Sequence, residues 1–264
     1  MIFLHLSDIH FLREYVKEKD GYNSIFNNMT NPILQIKRVL EKIDKNALDF
    51  IIITGDLVES GDSEDYKILK ENLDNLFGDI PYIVTLGNHD NKKEFYKGWF
   101  NKELNDETYN TSMEIGNVKI ISFDNSEYHN SNGTITLDRC NWLRDELNKN
   151  QEKDTILMLH HHLLKDQFNL PPVSFDKEFE DIINKSSIIG IFSGHTHHPY
   201  KGIFAGKPYF TAGSLSFVGY DEEDGKVRFE EATKCNLCRY EDGKIFVEVI
   251  DVLEKSKFLT YVKF

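Results

Sequence analysis

The 264-residue chain is short of cysteine and of positive charge, and it has no long apolar run. Its three cysteines, Cys140, Cys235 and Cys238, are an odd set with no disulfide framework, which favours a reducing interior. Lys and Arg number 31 against 44 Asp and Glu, giving a formal net charge of −13. Such a balance argues against a nucleic-acid scaffold, which carries a basic stripe. It leaves a nuclease open, because bound divalent metals locally reverse the field. No apolar run is long enough to cross a bilayer. The start, Met1-Ile2-Phe3-Leu4-His5-Leu6-Ser7-Asp8, has neither a basic flank nor a cleavable small-residue site, so it reads as a first strand. The expectation is a cytoplasmic protein with no membrane partner. With 40% hydrophobic residues, one large domain over residues 1–264 is expected. It would bury roughly three quarters of its unfolded surface without disulfides. There is no internal repeat, low-complexity tract or interdomain linker.

What the chain does have is a series of apolar runs that each end in metal- or proton-competent side chains. Ile2 to Leu6 leads into Ser7-Asp8-Ile9-His10, and Phe50 to Thr54 into Gly55-Asp56-Leu57-Val58-Glu59-Ser60-Gly61. Tyr82 to Leu86 follows Pro81 and ends in Gly87-Asn88-His89-Asp90, where the glycine permits a sharp turn. Thr155 to Leu159 runs into His160-His161-His162, and Ile188 to Phe192 into Ser193-Gly194-His195-Thr196-His197-His198. Loops at the carboxyl ends of strands are where open α/β sheets place their chemistry. If extended backbone continues past the first strand, Asp8 and His10 share a side and can grip one divalent ion together. Taken singly, each segment also reads as a turn aspartate, a surface histidine or a polar turn. Five such strand ends in one chain do not share that reading easily. Cys235-Asn236-Leu237-Cys238 has the spacing of half a zinc site but lacks a second pair, so a chance strand-turn feature is favoured.

Between these ends, a helix is expected from Pro32, with Ile33, Ile36, Val39, Leu40 and Ile43 on one face. A second is expected with Ser63 as its cap and Leu69, Leu73, Leu76 and Phe77 buried. Strand, helix, strand, helix, strand implies a parallel sheet with right-handed crossovers. Thr108 to Ile115 and Val118 to Phe123 read as a hairpin about Gly116-Asn117, and helices are expected over 137–148 and 176–184. From Tyr200 onward β-type runs alternate with turns, predicting a second, largely antiparallel sheet that the strands of about 220–264 complete or extend. Segment 163–175, with Phe168, Leu170 and Pro171-Pro172, reads as a loop over the site that shapes access.

The ordered set D-x-H, G-D, G-N-H-D, a histidine and G-H-x-H, from Ser7 to about Leu215, resembles the calcineurin-like metallophosphoesterase family. Leu143 within Cys140-Asn141-Trp142-Leu143, and Ala212-Gly213-Ser214-Leu215, add to the resemblance. It implies an α/β (α+β) fold, a four-layer α-β-β-α sandwich of two packed mixed sheets. It also implies two divalent ions, drawn from Mn, Fe, Zn or Co. One would be held by Asp8, His10 and His197, the other by Asn88, His160 and His195, with Asp56 bridging both. His160 is preferred to His161 for its place at the strand end. Two ions about 3.5–4 Å apart clamp a phosphate and acidify a bridging water for in-line attack on phosphorus. By the same resemblance Asn88, His89 and Asp90 form the catalytic turn. His89 would bind a phosphate oxygen and protonate or stabilise the leaving group, and Asp90 would orient its imidazole.

Departures from subfamily patterns narrow the branch. Glu59 and Ser60 stand in the stretch where phosphoprotein phosphatases carry an arginine, in G-D-x-V-D-R-G. Glu59 also occupies the position of the tyrosine ligand of purple acid phosphatases. Lipid A pathway pyrophosphatases have arginine where His89 stands, and the chain has little room for the capping region of the DNA-repair exonucleases. The remaining resemblance is to small phosphodiesterases acting on cyclic nucleotides or glycerophosphodiesters, so a small-molecule phosphoester is the expected partner and nucleic acid is not. A phosphomonoesterase or nuclease using the same site is the first alternative. A non-catalytic interaction module is the second, although such modules usually lose metal-site histidines. Members of that branch often form dimers or larger assemblies, which leaves a homo-oligomer open.

Overall fold

The computed structural model describes residues 1–263 apart from 166, 168 and 169, so Phe168 lies outside the described residues. The first half runs β1 (Ile2–Leu6), α1 (Pro32–Lys42), β2 (Phe50–Thr54), α2 (Ser63–Phe77), β3 (Tyr82–Thr85) and α3 (Lys92–Phe100). There follow β4 (Thr111–Ile115), β5 (Val118–Ser122), α4 (Leu137–Leu147), β6 (Asp154–Met158), α5 (Lys177–Asn184) and β7 (Ile188–Ser193). The last part is all strand: β8 (Tyr200–Phe204), β9 (Lys207–Thr211), β10 (Phe217–Asp221), β11 (Lys226–Glu231), β12 (Lys234–Glu241), β13 (Lys244–Asp251) and β14 (Phe258–Lys263). Among the described residues no helix is long and apolar enough to cross a membrane.

β1, β2 and β3 pair in parallel, as the alternation of strands and helices requires. The second sheet has the order β4-β5-β6-β7-β9-β8, parallel across its middle and antiparallel at both edges. Side chains alternate across each strand, and this sorts them into layers. Leu4, Leu6, Ile51, Ile53 and Val84 share a core with α1, α2 and α3. Phe3, Phe50, Ile52 and Ile83 instead meet Val118, Ile120, Ile156 and Met158 of the other sheet. On the far side Ile121, Leu157 and Ile191 pack on Leu143 of α4 and Phe179 of α5. Helices, sheet, sheet, helices: the four-layer sandwich of two mixed sheets is the observed architecture.

The carboxyl-terminal strands depart from expectation. They do not complete the second sheet. The hairpin β12–β13 joins the first, antiparallel to β1, in the order β13-β12-β1-β2-β3. β1 is buried over nearly all its length, and a bare edge there would leave amides unpaired between the layers. Cys235 lies in the core beneath the helices and Cys238 in the core between the sheets, so the two thiols point apart and form no half metal site. β10, β11 and β14 form a separate three-stranded sheet. It shares Phe217, Phe229, Leu259 and Val262 with Ile25 and Phe26 of segment 11–31. Glu231 pins that segment, accepting from Thr30 N (2.7 Å), Thr30 Oγ1 (2.9 Å) and Gln35 Nε2 (2.9 Å).

Helix boundaries follow their caps. Asn31 Oδ1 accepts from Ile33 N at 2.9 Å with Pro32 in the first turn. The cap of α2 is Asp62, not Ser63: its carboxylate accepts from Glu64 N and Asp65 N, and Asp65 reciprocates. α3 has no counterpart in the sequence reading; its apolar face is brief and packs on α2 at Gly98. A Cβ on Gly98 would lie 2.1 Å from the carbonyl oxygen of Ser63. Helix propensity alone favours alanine there by about 1 kcal/mol. The overlap with fixed backbone reverses the sign, and Gly98→Ala is expected to destabilise by about 1–3 kcal/mol in urea unfolding.

Candidate metal centre

The polar strand ends meet where the two sheets open at the carboxyl ends of β1, β2, β3, β6 and β7. The loop after β1 is zipped to the loop after β2. Asp8 N donates to Gly55 O (3.1 Å), His10 N to Asp56 O (2.9 Å), Phe11 N to Leu57 O (3.1 Å), and Glu59 N back to Phe11 O (3.2 Å). The backbone here is not extended. φ is +53° at Asp8, +49° at His10, +47° at Asp56, +74° at His195 and +60° at His197. The side chains converge through these left-handed residues, each of which costs about 1–3 kcal/mol for a residue with a Cβ. Close backbone approach does the rest. A Cβ on Gly87 would fall 2.1 Å from Asp56 Oδ1, and one on Gly194 would fall 1.9 Å from Ser7 Oγ and 2.7 Å from Asp8 Oδ2.

Asp8, His10, Asp56 and His197 offer ligand atoms within 4.8 Å of one another. His10 Nδ1–H donates to Glu59 Oε2 at 2.5 Å and His197 Nδ1–H to Phe217 O at 2.6 Å. Each acceptor holds the proton on Nδ1 and leaves a lone pair on Nε2. The two Nε2 atoms face each other at 3.2 Å, with Asp8 Oδ1 3.3 Å from that of His197. Two lone pairs so placed repel unless a cation lies between them.

A second group stands across Asp56. His160 Nδ1–H donates to Thr54 O at 2.7 Å, while its buried Nε2 has no hydrogen-bond partner among the described residues. That Nε2 lies 3.3 Å from Asp56 Oδ2, the same oxygen that is 3.6 Å from His10 Nε2. Asn88 Oδ1 is likewise buried and unpartnered. His195, whose amide donates to the Asp8 carboxylate at 3.1 and 3.2 Å, falls in one group with His160 and His161. Burial first, then the neighbouring histidines, hold His195 well below the ordinary histidine range, in the neutral form that binds metals. Hard and borderline donors, among them the His160 Nε2 beside Asp56 and the unpartnered Asn88 Oδ1, suit divalent cations.

Asp90 does not orient His89. Its buried carboxylate accepts from Gly87 N (2.8 Å), Leu57 N (3.1 Å), Val58 N (3.2 Å) and the Tyr66 hydroxyl (3.0 Å). Three main-chain donors outbid one imidazole, and Asp90 becomes the clamp that shapes the Asp56 and Asn88 turns. The imidazole instead donates from Nδ1 to Glu59 Oε1 at 2.8 Å. Glu59, which the sequence places only as a departure from subfamily patterns, is therefore the partner of both His10 and His89. The sequence reading passed over Asn125: its Oδ1 accepts from His160 N and His161 N. Ser214 and Ser216 donate to the Asp8 carbonyl at 3.0 and 2.9 Å, which accounts for the Ala212–Leu215 stretch. The loop 163–175 sends Leu163 and Val173 into the α4–α5 core. Segment 11–31 stands against the site, with the Tyr15 hydroxyl on His10 O (2.7 Å) and that of Tyr22 on Glu59 (3.3 Å).

The family profile described as calcineurin-like phosphoesterase matches residues 1–199. The chain belongs to that family. It is a phosphoester hydrolase whose relatives are phosphodiesterases. It is 31% identical over 245 residues to a probable glycerophosphodiester phosphodiesterase, GpdQ, of Arcobacter nitrofigilis, spanning 87% of this chain and 84% of that one. It is 26% identical over 256 residues to a probable cyclic nucleotide phosphodiesterase of Rhodococcus erythropolis, spanning 94% and 82%. Among solved structures, GAP50 of Plasmodium superposes with a TM-score of 0.59 at 15% identity, covering 100% of this chain and 88% of that one, a likeness of fold. For this family member, Gly194→Ala is expected to weaken metal binding by at least about 10-fold, read by elemental analysis after dialysis against a limiting metal buffer.

Proposed function

We propose that this chain is a dinuclear metal-dependent phosphodiesterase, hydrolysing a small-molecule phosphodiester of the cyclic nucleotide or glycerophosphodiester type. The observation that carries the reading is Asp56 Oδ2, which lies between the Nε2 atoms of His10 and His160 at 3.6 and 3.3 Å. In this assignment Asp8, His10 and His197 would hold one ion and Asn88, His160 and His195 the other, with Asp56 offered to both. When bound, Mn, Fe, Zn or Co ions supply an acidified water for in-line attack and a clamp on the phosphate oxygens. The relatives' names support the substrate class. Three free cysteines and no disulfide among the described residues support a reducing, cytoplasmic location.

His89 has a separate task. Burial lowers its basicity, but Asp56 and then Glu59 outweigh this and lift it to about 10. Ions at Asp56 would neutralise part of that support and leave Glu59 as the main partner. With Nδ1–H committed to Glu59, Nε2 carries the transferable proton, which goes to the departing alkoxide. Tyr22, near-parallel to the His89 ring at 6.2 Å, closes one side of this path.

The direct test is hydrolysis of bis(4-nitrophenyl) phosphate beside 4-nitrophenyl phosphate, with metal-free protein and added Mn²⁺. Metal-dependent preference for the diester is expected, and it should be lost in Asn88→Ala; monoester preference would make the chain a phosphatase. His89→Ala is expected to lower kcat by about 10²–10⁴-fold for an alkyl leaving group. With 4-nitrophenolate, which needs no proton, the loss should be much smaller. Equal losses for both leaving groups would remove His89 from proton transfer.

A further inference from the structure

We propose that His161 is also a ligand of the ion assigned to Asn88, His160 and His195, an inference that rests on the two-ion reading above. His161 is 1% exposed; the Asn130 carbonyl faces its ring, but neither ring nitrogen makes a full hydrogen bond among the described residues. Native interiors rarely leave a buried imidazole nitrogen unpaired, so the nitrogen turned away from Asn130 calls for a partner that the described residues do not supply. Its neighbours point to a cation. The ring centroid lies 4.9 Å from that of His160 and 4.6 Å from that of His195. One ligand nitrogen from each of the three falls within 4.8 Å of the others.

The position is built rather than incidental. Asn125 grips the peptide on both sides: Oδ1 accepts from His161 N at 3.1 Å and Nδ2 donates to His161 O at 2.9 Å. Gly133, at φ +62°, lays bare backbone against the ring, since a Cβ there would fall 2.6 Å from Cγ and 2.7 Å from Nδ1 of His161. With that edge covered, Nε2 is the nitrogen left for an ion. His162 differs, because its Nε2 already pairs with Leu170 O at 3.2 Å. The consequence is an asymmetric centre. The ion beside Asp8 meets two imidazoles and a carboxylate of its own. The other meets three imidazoles and the Asn88 amide oxygen, a nitrogen-rich set that favours Zn²⁺ or Co²⁺ over Mn²⁺.

The test uses the full-length protein loaded with ¹¹³Cd²⁺ and carrying ¹⁵N-histidine, which needs no substitution. Resolved ¹⁵N–¹¹³Cd coupling is expected at His161 as well as at His160 and His195. Coupling at those two with none at His161 overturns the inference. Calorimetric titration of metal-free protein with Co²⁺ gives a second readout. His161→Gln should weaken the second ion by at least about 10–100-fold, the loss that even an outer partner costs, and leave the first unchanged. Wild-type affinity for both ions in His161→Gln, with the second ion lost in Asn88→Ala, contradicts the role of His161 alone. One ion per wild-type chain overturns the two-ion reading and this inference with it.

Discussion

A single buried carboxylate oxygen, Asp56 Oδ2, faces the Nε2 atoms of His10 and His160 at 3.6 and 3.3 Å. Without a cation, this arrangement buries charge, sets the Nε2 atoms of His10 and His197 facing each other at 3.2 Å, and leaves the Asn88 amide oxygen with no partner among the described residues. Its persistence depends on the surrounding structure fixing every ligand from behind. Glu59, Phe217 and Thr54 take the outward protons of His10, His197 and His160. Asp90 ties together the two turns that deliver Asp56 and Asn88.

The fold explains why strain can be stored there. Two sheets packed through Phe3, Phe50, Ile52 and Phe192 give rigid strands whose ends cannot drift. Left-handed residues are concentrated at Asp8, His10, Asp56, His195 and His197 because those short loops are over-determined by cross-loop amides and by the glycines they approach. The third sheet and segment 11–31 add a wall of aromatic side chains. Phe217 of that wall packs against both His10 and His197, coupling it to two of the candidate ligands.

Much of this was legible in the sequence, for identifiable reasons. Apolar runs buried on both faces mark β1, β2, β3, β6 and β7, and the polar residues that stop each run are the ligand candidates. Ligand identity follows from residue chemistry, which a sequence carries directly. Orientation does not. Nothing in Asn88-His89-Asp90 says that Asp90 turns inward to three amides, or that Glu59, from another loop, meets His89. The i, i+2 spacing of Asp8 and His10 suggested extended backbone, while the structure uses positive φ to the same end. Sheet membership was also hidden: period-two alternation tells which residues of β12 and β13 share a face, but not whose edge they join. α3 escaped because its nine residues offer too brief an apolar face beside a polar motif.

The most direct measurement of the central claim is the unfolding stability of the protein with and without ions. If the buried donors are held for cations, chelation should lower stability by about 4 kcal/mol for each site loaded at 1,000 times its Kd. The lost stability should return on adding Zn²⁺, Co²⁺ or Mn²⁺. Identical unfolding curves with chelator and with saturating metal would contradict the account, because the lone pairs around Asp56 would then be tolerated without the ions that explain them.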